Sequence, residues 1–394
     1  MFNGTKKNKN DIIKNDILNY FAIYSNSTIV DLARTLDISV PTVTKLLNEM
    51  CDDGYVKVYG KLESGEGRHP NLYGIRSDFG YSIGVDIRHN AIDIGVMNFE
   101  GVLIDLKKDI PYNFQNTQKS MDDLCVIVKN VIDKLDIDSK KILSVNFNIS
   151  GRVNPITGYS YSAFNFSEEP LDKVLTEKIG ITTYIDNDSR AMAYGELIDG
   201  CAKGVKNVFF INLSWGLGSA IIINGDLYPG KSGFSGEIGH VHEFDNELLC
   251  HCGKKGCLET EVSGNAFLRI FRERIAAGET SGLLKRMKIE DVTLENLIDA
   301  TNHGDVLCID IVETIGRKLG AFLSGLINVL NPELVVLGGM MSLCGDFLLQ
   351  PMLTAVRKYS LNLLANDTDI CVSKLKDRAG IIGACMLGRR KLFI

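Results

Sequence analysis

The sequence predicts an α/β protein in which a winged helix-turn-helix precedes a two-lobed domain of the actin-like, ribonuclease-H-like class. Three observations carry this expectation. Three helix-period stripes and a hairpin fill the first eighty residues. Three strands joined by tight turns, then a helix and a further strand, begin near residue 80. The same plan recurs from residue 207. The expected boundaries are 1–78 for the winged helix, 79–195 for the first lobe and 196–394 for the second, with a C-terminal helix that can return to the first lobe.

Ile13, Ile17, Tyr20 and Tyr24 keep helical spacing, as do Ile29, Leu32, Ala33 and Leu36, and then Val43, Leu46, Leu47 and Met50. Only "DIS" separates the second stripe from the third. Ser39 is a good N-cap, and Pro41 falls in the first turn, where its missing N–H costs nothing. "GYVKVYG" and "RHPNLYGI" read as the two strands of a wing around the turn "KLESGEG". If the third helix buries its apolar stripe, it exposes Thr42, Thr44, Lys45 and Asn48, which suit a major groove. Candidate DNA contacts are these four and Ser39, with Arg68 and His69 at the wing tip, where an arginine can enter a minor groove. A helical interaction domain without DNA contact is the plainer alternative. "RSDFG" then links to the next domain.

"GYSIGVDI", "AIDIGVMN" and "GVLIDLKKDI" are the first lobe's opening strands, followed by a helix near 118–135 and the strand "ILSVNFNI". In the second lobe "NVFFINLS", "GSAIIIN" and "GDLYPG" repeat the opening, and "PELVVLGG" is a later strand. Two related lobes imply a cleft, the default ligand site.

The chain has 394 residues, 45% of them hydrophobic and 23% charged, with a net charge of −6. No general basic field advertises nucleic acid or membrane, so any DNA contact must be local. The polar opening "MFNGTKKNKND" does not read as a signal peptide, and no run approaches the ~18–20 apolar residues that span a bilayer. A cytoplasmic location is expected. Of ten cysteines, seven are scattered singly and read as small buried hydrophobes.

The other three lie in "HVHEFDNELLCHCGKKGCLE", residues 240–259, beside three histidines. His240, Cys250, Cys252 and Cys257 make a Cys₃His set, the closed pattern of a structural zinc site. Gly253 and Gly256 permit the tight turns. His242 and His251 read as loop histidines. Elsewhere, "IDNDSRAMAYGE" ends a strand with Asn187 and Asp188 and then starts a helix. An acceptor pair and a donor there suit a polyhydroxyl ligand; alternatively Asp188 only caps the helix.

With these motifs in view, residues 80–390 resemble the ROK family, named for repressors, open reading frames and kinases. The matching stretches are "DND", "GEIGH", C-x-C-G-x-x-G-C-L-E and "LNPELVVLGG". The N-terminal segment, with its "GRHP" wing, resembles the DNA-binding half of the family's xylose and N-acetylglucosamine repressors. The resemblance implies that Asn187 and Asp188 bind sugar, the family's kinases using this aspartate as general base. It implies further sugar contacts at Glu237, His240 and Glu259, with Asn165 and, more weakly, Arg152. His240 would then serve zinc through one ring nitrogen and sugar through the other.

The family's kinases carry a "DxGGT" phosphate loop after the first strand. Here "VDIRHNAID" keeps Asp86 but puts Arg88, His89 and Asn90 where glycines and threonine belong. In the second loop Ser214 and Trp215 replace Gly-Thr, while Gly216 and Gly218 persist. The expectation is therefore a sugar-responsive repressor without ATP chemistry, working as a homodimer or dimer of dimers on operator DNA and released by sugar. A sugar kinase with an added DNA-binding domain is the alternative.

Overall fold

The structure is a computed structural model that describes residues 9–62, 69–88 and 90–393. It divides into two compact units, residues 1–198 with 380–394, and residues 199–379.

The first unit begins with α1 (Lys9–Tyr24), β1 (Asn26–Ser27), α2 (Ile29–Thr35), α3 (Val40–Asp52), β2 (Val56–Lys61) and β3 (Asn71–Ile75). Side-chain caps set both short helices: Thr28 Oγ1 accepts from Asp31 N at 3.1 Å, and Ser39 Oγ accepts from Thr42 N at 3.4 Å. The strands form an antiparallel sheet in the order β1-β3-β2. Val43, Leu46, Leu47 and Met50 are buried against Ile17, Leu18, Phe21 and Leu32. Truncating one such leucine to alanine costs about 2–5 kcal/mol. The α1 stripe is rotated from the expected one. Phe21 and Ala22 are buried, whereas Tyr24 is 61% exposed and stacks on Tyr20. The helix ends at Tyr24, and Ser25 turns the chain at φ 66°.

The rest of this unit is a mixed sheet with helices. Its elements are β4 (Tyr81–Ile87), β5 (Ala91–Asn98), β6 (Leu103–Pro111), α4 (Gln118–Ile132), β7 (Ile142–Ile149), β8 (Val153–Asn154), β9 (Tyr159–Ser160), α5 (Leu171–Ile179), β10 (Thr183–Asn187) and α6 (Asp188–Asp199). Strand order is β10-β7-β4-β5-β6. The β4, β5 and β6 pairs are antiparallel, and β4, β7 and β10 run parallel. Ile83, Val85, Phe147 and Ile185 meet Leu124, Val128 and Leu175 of α4 and α5 in one core.

The second unit repeats this plan. It holds β11 (Val208–Leu213), β12 (Leu217–Ile223), β13 (Asp226–Leu227), α7 (Gly264–Ala276), α8 (Leu294–Asn302), α9 (Val306–Leu330), β14 (Leu334–Gly338), α10 (Asp346–Tyr359), α11 (Asn362–Asp367) and β15 (Asp369–Val372). Strand order is β13-β12-β11-β14-β15, antiparallel on the hairpin side and parallel on the other. The third strand is two residues here against nine for β6. The chain enters α12 (Ala379–Lys391) as it leaves the second unit. Among the described residues no helix is long and apolar enough to cross a membrane.

Candidate functional site

The outer face of α3 follows from its buried stripe. Lys45 and Asn48 are exposed, as is Ser39, and Thr42 and Thr44 are half-exposed. Thr44 Oγ1 donates to Val40 O at 2.8 Å. Glu49 could neutralise Lys45, but Lys14 Nζ holds it at 2.9 Å while Lys45 Nζ stands 4.0 Å away. The hydrogen bond from Lys14 lowers the Glu49 pKa. His69 is exposed at the neck of the β2–β3 hairpin, its Nδ1 3.2 Å from Leu62 O. Arg68 lies outside the described residues.

Asn187 and Asp188 occupy the junction of β10 and α6. The β7–β10 register pairs Asn187 with Ile149, so Ser150 comes opposite Asp188. Ser150 Oγ donates to Asp188 Oδ2 at 2.8 Å. Asp188 Oδ1 accepts from Ser189 N at 2.7 Å, Ser189 Oγ at 3.3 Å and Asn187 Nδ2 at 3.0 Å. The capping bond to the third residue belongs to Asn187, whose Oδ1 accepts from Arg190 N at 3.1 Å. Asp188 is thus held in one orientation without being the cap. Burial raises its pKa above the usual carboxylate range, against the hydrogen bonds it accepts.

Arg152 and Asn165 join the same network. Asn187 Nδ2 donates to Gly151 O at 3.0 Å, Tyr161 N to Arg152 O at 2.9 Å, and Asn165 Nδ2 to Tyr161 O at 3.3 Å. Arg152 is exposed, its Nε 3.4 Å from Ser162 Oγ, and Asn116 Nδ2 donates to Asn165 Oδ1 at 2.5 Å. Ser150 and Asn148 were not anticipated. Their signal was present in "VNFNIS", where asparagines interrupt an apolar strand. Asn148 Nδ2 donates to Asp86 Oδ1 at 3.1 Å. Burial, with the charges of Asp188 and Asp93 adding to it, pushes the Asp86 pKa up to about 6.

At the turn after β4, Arg88 Nη2 reaches Asp93 Oδ1 and Asp109 Oδ1, both at 2.6 Å. Asp93 is 1% exposed and also accepts from Asp109 N at 2.7 Å. His89 lies outside the described residues.

In the second unit the metal set converges. Four ligands about 2.0–2.3 Å from a tetrahedral ion lie roughly 3.5–3.8 Å apart. Cys252 Sγ is 3.6 Å from Cys257 Sγ, and Cys250 Sγ is 3.6 Å from His240 Nδ1. All four ligand atoms of His240, Cys250, Cys252 and Cys257 lie within 4.8 Å of one another. The donor set and its size fit zinc. Gly256 has φ 72°, and a Cβ on it would come 2.2 Å from Phe244 O, so only glycine closes this turn.

His240 turns Nδ1 toward the cysteines, while Nε2 stands 3.8 Å from Glu237 Oε2. Glu259 braces the loop against the β11–β12 turn. Its Oε2 accepts from Leu217 N at 2.8 Å, and its Oε1 lies 2.9 Å from Nδ1 of the exposed His251. A Cβ on Gly216 would meet that same Oε2 at 2.6 Å. Trp215 packs against the second unit's core, and its carbonyl accepts from Asn265 N at 3.0 Å. His242 is exposed, with Nδ1 3.2 Å from Lys255 O.

Comparison with known proteins agrees with this anatomy. The sequence model of the ROK family matches residues 89–391, and a winged helix-turn-helix DNA-binding model matches residues 10–57. The xylose repressor of Caldicellulosiruptor bescii is 28% identical over 354 residues, 89% of each chain. The glucokinase of Halalkalibacterium halodurans is 31% identical over 320 residues, 78% of this chain and 95% of the enzyme. A crystal structure of a ROK family transcriptional regulator, a homolog of the E. coli Mlc protein, superposes with a TM-score of 0.81 at 22% identity. It covers 98% of this chain and 97% of that one, a likeness of fold.

Proposed function

The chain belongs to the ROK family, and from that premise we propose that it is a sugar-responsive, DNA-binding transcriptional repressor that carries out no phosphotransfer. One observation carries this reading. A single chain holds a ROK domain behind a winged helix whose third helix presents Thr42, Thr44, Lys45 and Asn48 outward. The likeness to a xylose repressor supports it, because it runs over more residues than the ROK segment alone.

A lone recognition helix reads one half-site, so the working form is a homodimer or a dimer of dimers on a pseudo-palindrome. The residues proposed to contact sugar are Arg152, Asn165, Asn187, Asp188, Glu237, His240 and Glu259. A structural zinc would be held by His240, Cys250, Cys252 and Cys257. With four protein ligands it has no open position, so it supplies stiffness to the loop rather than Lewis-acid chemistry. Sugar binding releases the operator, and the protein acts in the cytoplasm.

The second reading is an ATP-dependent sugar kinase. The raised pKa of Asp188, apt for a general base, favours it, as does the likeness to a glucokinase. Against it, Arg88 is engaged by two carboxylates and Trp215 stands in the second phosphate loop.

Two assays separate the readings. A duplex selected from a random pool is titrated with protein, with and without D-xylose, D-glucose and N-acetylglucosamine. In parallel, the same sugars are offered with Mg-ATP. The repressor reading expects one sugar to weaken operator binding and none to be phosphorylated. Turnover that disappears in Asp188→Asn would establish the kinase.

A further inference from the structure

Arg389 is the largest side chain buried without exposure in the described chain. A guanidinium so placed ordinarily has a carboxylate beside it. Among the described residues its partners are two backbone carbonyls and a ring. Nε donates to Ala22 O at 2.8 Å, joined there by Nη2, and Nη1 donates to Phe99 O at 3.0 Å. The guanidinium carbon stands 6.0 Å from the Phe99 ring centroid. Burial lowers its pKa to about 10, so it stays charged at neutral pH.

Each carbonyl belongs to a different part of the first unit. Ala22 lies in the last turn of α1, where carbonyls have no helical partner and a cation meets the negative end of the helix dipole. Phe99 follows β5 of the sheet, and its side chain is part of the winged helix's own core, touching Phe79 and Phe393. One side chain of α12 therefore fastens the DNA-binding segment to the ROK sheet.

The other end of α12 reaches the Asp188 region. Gly380 O accepts from Asn148 Nδ2 at 2.8 Å, and a Cβ on Gly380 would lie 2.4 Å from Asp86 Oδ2. A Cβ on Gly383 would lie 1.7 Å from the carbonyl of Ala191, in the first turn of α6, the helix that Asp188 begins. From Gly383 to Arg389 is six residues, a rise of about 9 Å. A displacement of α6 cannot be absorbed at a contact with no side chain to give way. A shift there bears directly on α12, whose C-terminal turn carries Arg389.

We propose that Arg389 is the positioning residue through which sugar at Asp188 controls the presentation of α3 to DNA. It touches neither ligand. It holds α1 to α12, the helix whose backbone at Gly383 bears on α6. The proposal rests on the sugar-responsive repressor reading.

The test is operator titration by fluorescence anisotropy with full-length protein and a duplex selected from a random pool by the wild type. It is run with and without whichever of D-xylose, D-glucose and N-acetylglucosamine raises the wild-type melting temperature. The wild type is expected to show an operator Kd ratio within the typical coupling range of about 5- to 150-fold. Arg389→Met is expected to bring that ratio below about two-fold, while the sugar Kd measured without DNA changes by less than about two-fold. Arg389→Lys keeps the charge and can reach one carbonyl, so an intermediate ratio is expected. A merely structural role would lower both affinities and leave the ratio intact.

If Arg389→Met melts too low to titrate, Arg389→Lys carries the test. A full wild-type ratio in whichever variant folds overturns the proposal. A wild-type ratio of one with every sugar overturns the repressor reading itself, and the coupling role falls with it.

Discussion

Asp188 is the residue at which binding and stability can be pulled apart, because its two oxygens have unequal company. Among the described residues, Oδ1 accepts from three donors, Ser189 N, Ser189 Oγ and Asn187 Nδ2, whereas Oδ2 meets only the hydroxyl of Ser150. In Asp188→Asn the amide oxygen takes the first position. The amide nitrogen faces Ser150, whose hydroxyl can turn and accept. The variant should fold with a loss under about 1 kcal/mol, since every local donor keeps a partner. It gives up the charge. A hydrogen bond from a sugar hydroxyl to a carboxylate contributes about 1.5–3 kcal/mol, so the sugar Kd should rise by roughly 10- to 150-fold. Asp188→Ala instead removes the acceptor of Ser189 N and of one Asn187 Nδ2 proton, while Gly151 O keeps the other and solvent reaches Ser150, so it should cost more stability than Asp188→Asn.

The raised pKa of Asp188 adds a second readout. Sugar affinity in the wild type should fall on acidification at a higher pH than for an ordinary carboxylate, and in Asp188→Asn that dependence should vanish. Isothermal titration with D-xylose, D-glucose and N-acetylglucosamine, beside urea unfolding, measures both. An Asp188→Asn protein that binds sugar within about two-fold of wild type would refute the reasoning.

Elemental analysis of protein purified without chelator should find one zinc per chain, and Cys252→Ser should lose it and weaken sugar binding; zinc-free wild type would refute the structural zinc. Asn48→Ala, on the exposed face of α3, should cost about 1–3 kcal/mol of operator affinity and relax sequence preference at one position, which binding to base-substituted duplexes checks. Asp86→Asn should stabilise the protein at neutral pH. The folded state raises this acid's pKa from 3.8 to about 6, so the fold holds the proton more tightly than the unfolded chain, and stability falls as pH rises through that window. Removing the charge recovers on the order of 2–3 kcal/mol at neutral pH and nothing below about pH 4. Urea midpoints across pH read it, and an equal gain at all pH values would point to packing instead.

Much of this anatomy was legible because it depends on local pattern. The α3 stripe fixes its own outer face, so Thr42, Lys45 and Asn48 follow from Val43, Leu46, Leu47 and Met50. The metal set was legible because turn-permitting glycines and soft ligands sit within one loop. Tyr24 misled because a helix's last turn can keep spacing while turning off the core. Ser150 was hidden because its role comes from the β7–β10 register, a pairing across 38 residues. Arg389 was wholly illegible. In "LGRRKLF" it matches its neighbour Arg390, and what buries one of them are carbonyls 367 and 290 residues away in the chain.

The Arg88 turn constrains how this chain can change. Arg88 answers two carboxylates there, Asp93 and Asp109. A glycine at 88 would leave Asp93, at 1% exposure, without the charge of Arg88. Breaking the pair from the Arg88 side leaves a buried carboxylate uncompensated, a cost that solvent at the part-exposed arginine moderates. On the proposed reading, in which residues 88–90 stand where a kinase's phosphate loop would be, a glycine at 88 therefore lowers stability and leaves two carboxylates without the Arg88 charge. Asp93 and Asp109 would have to be replaced in the same event for the change to help. A selection experiment that demands sugar phosphorylation should accordingly find its single-substitution answers elsewhere in the chain, the turn behaving as a ratchet in sequence space.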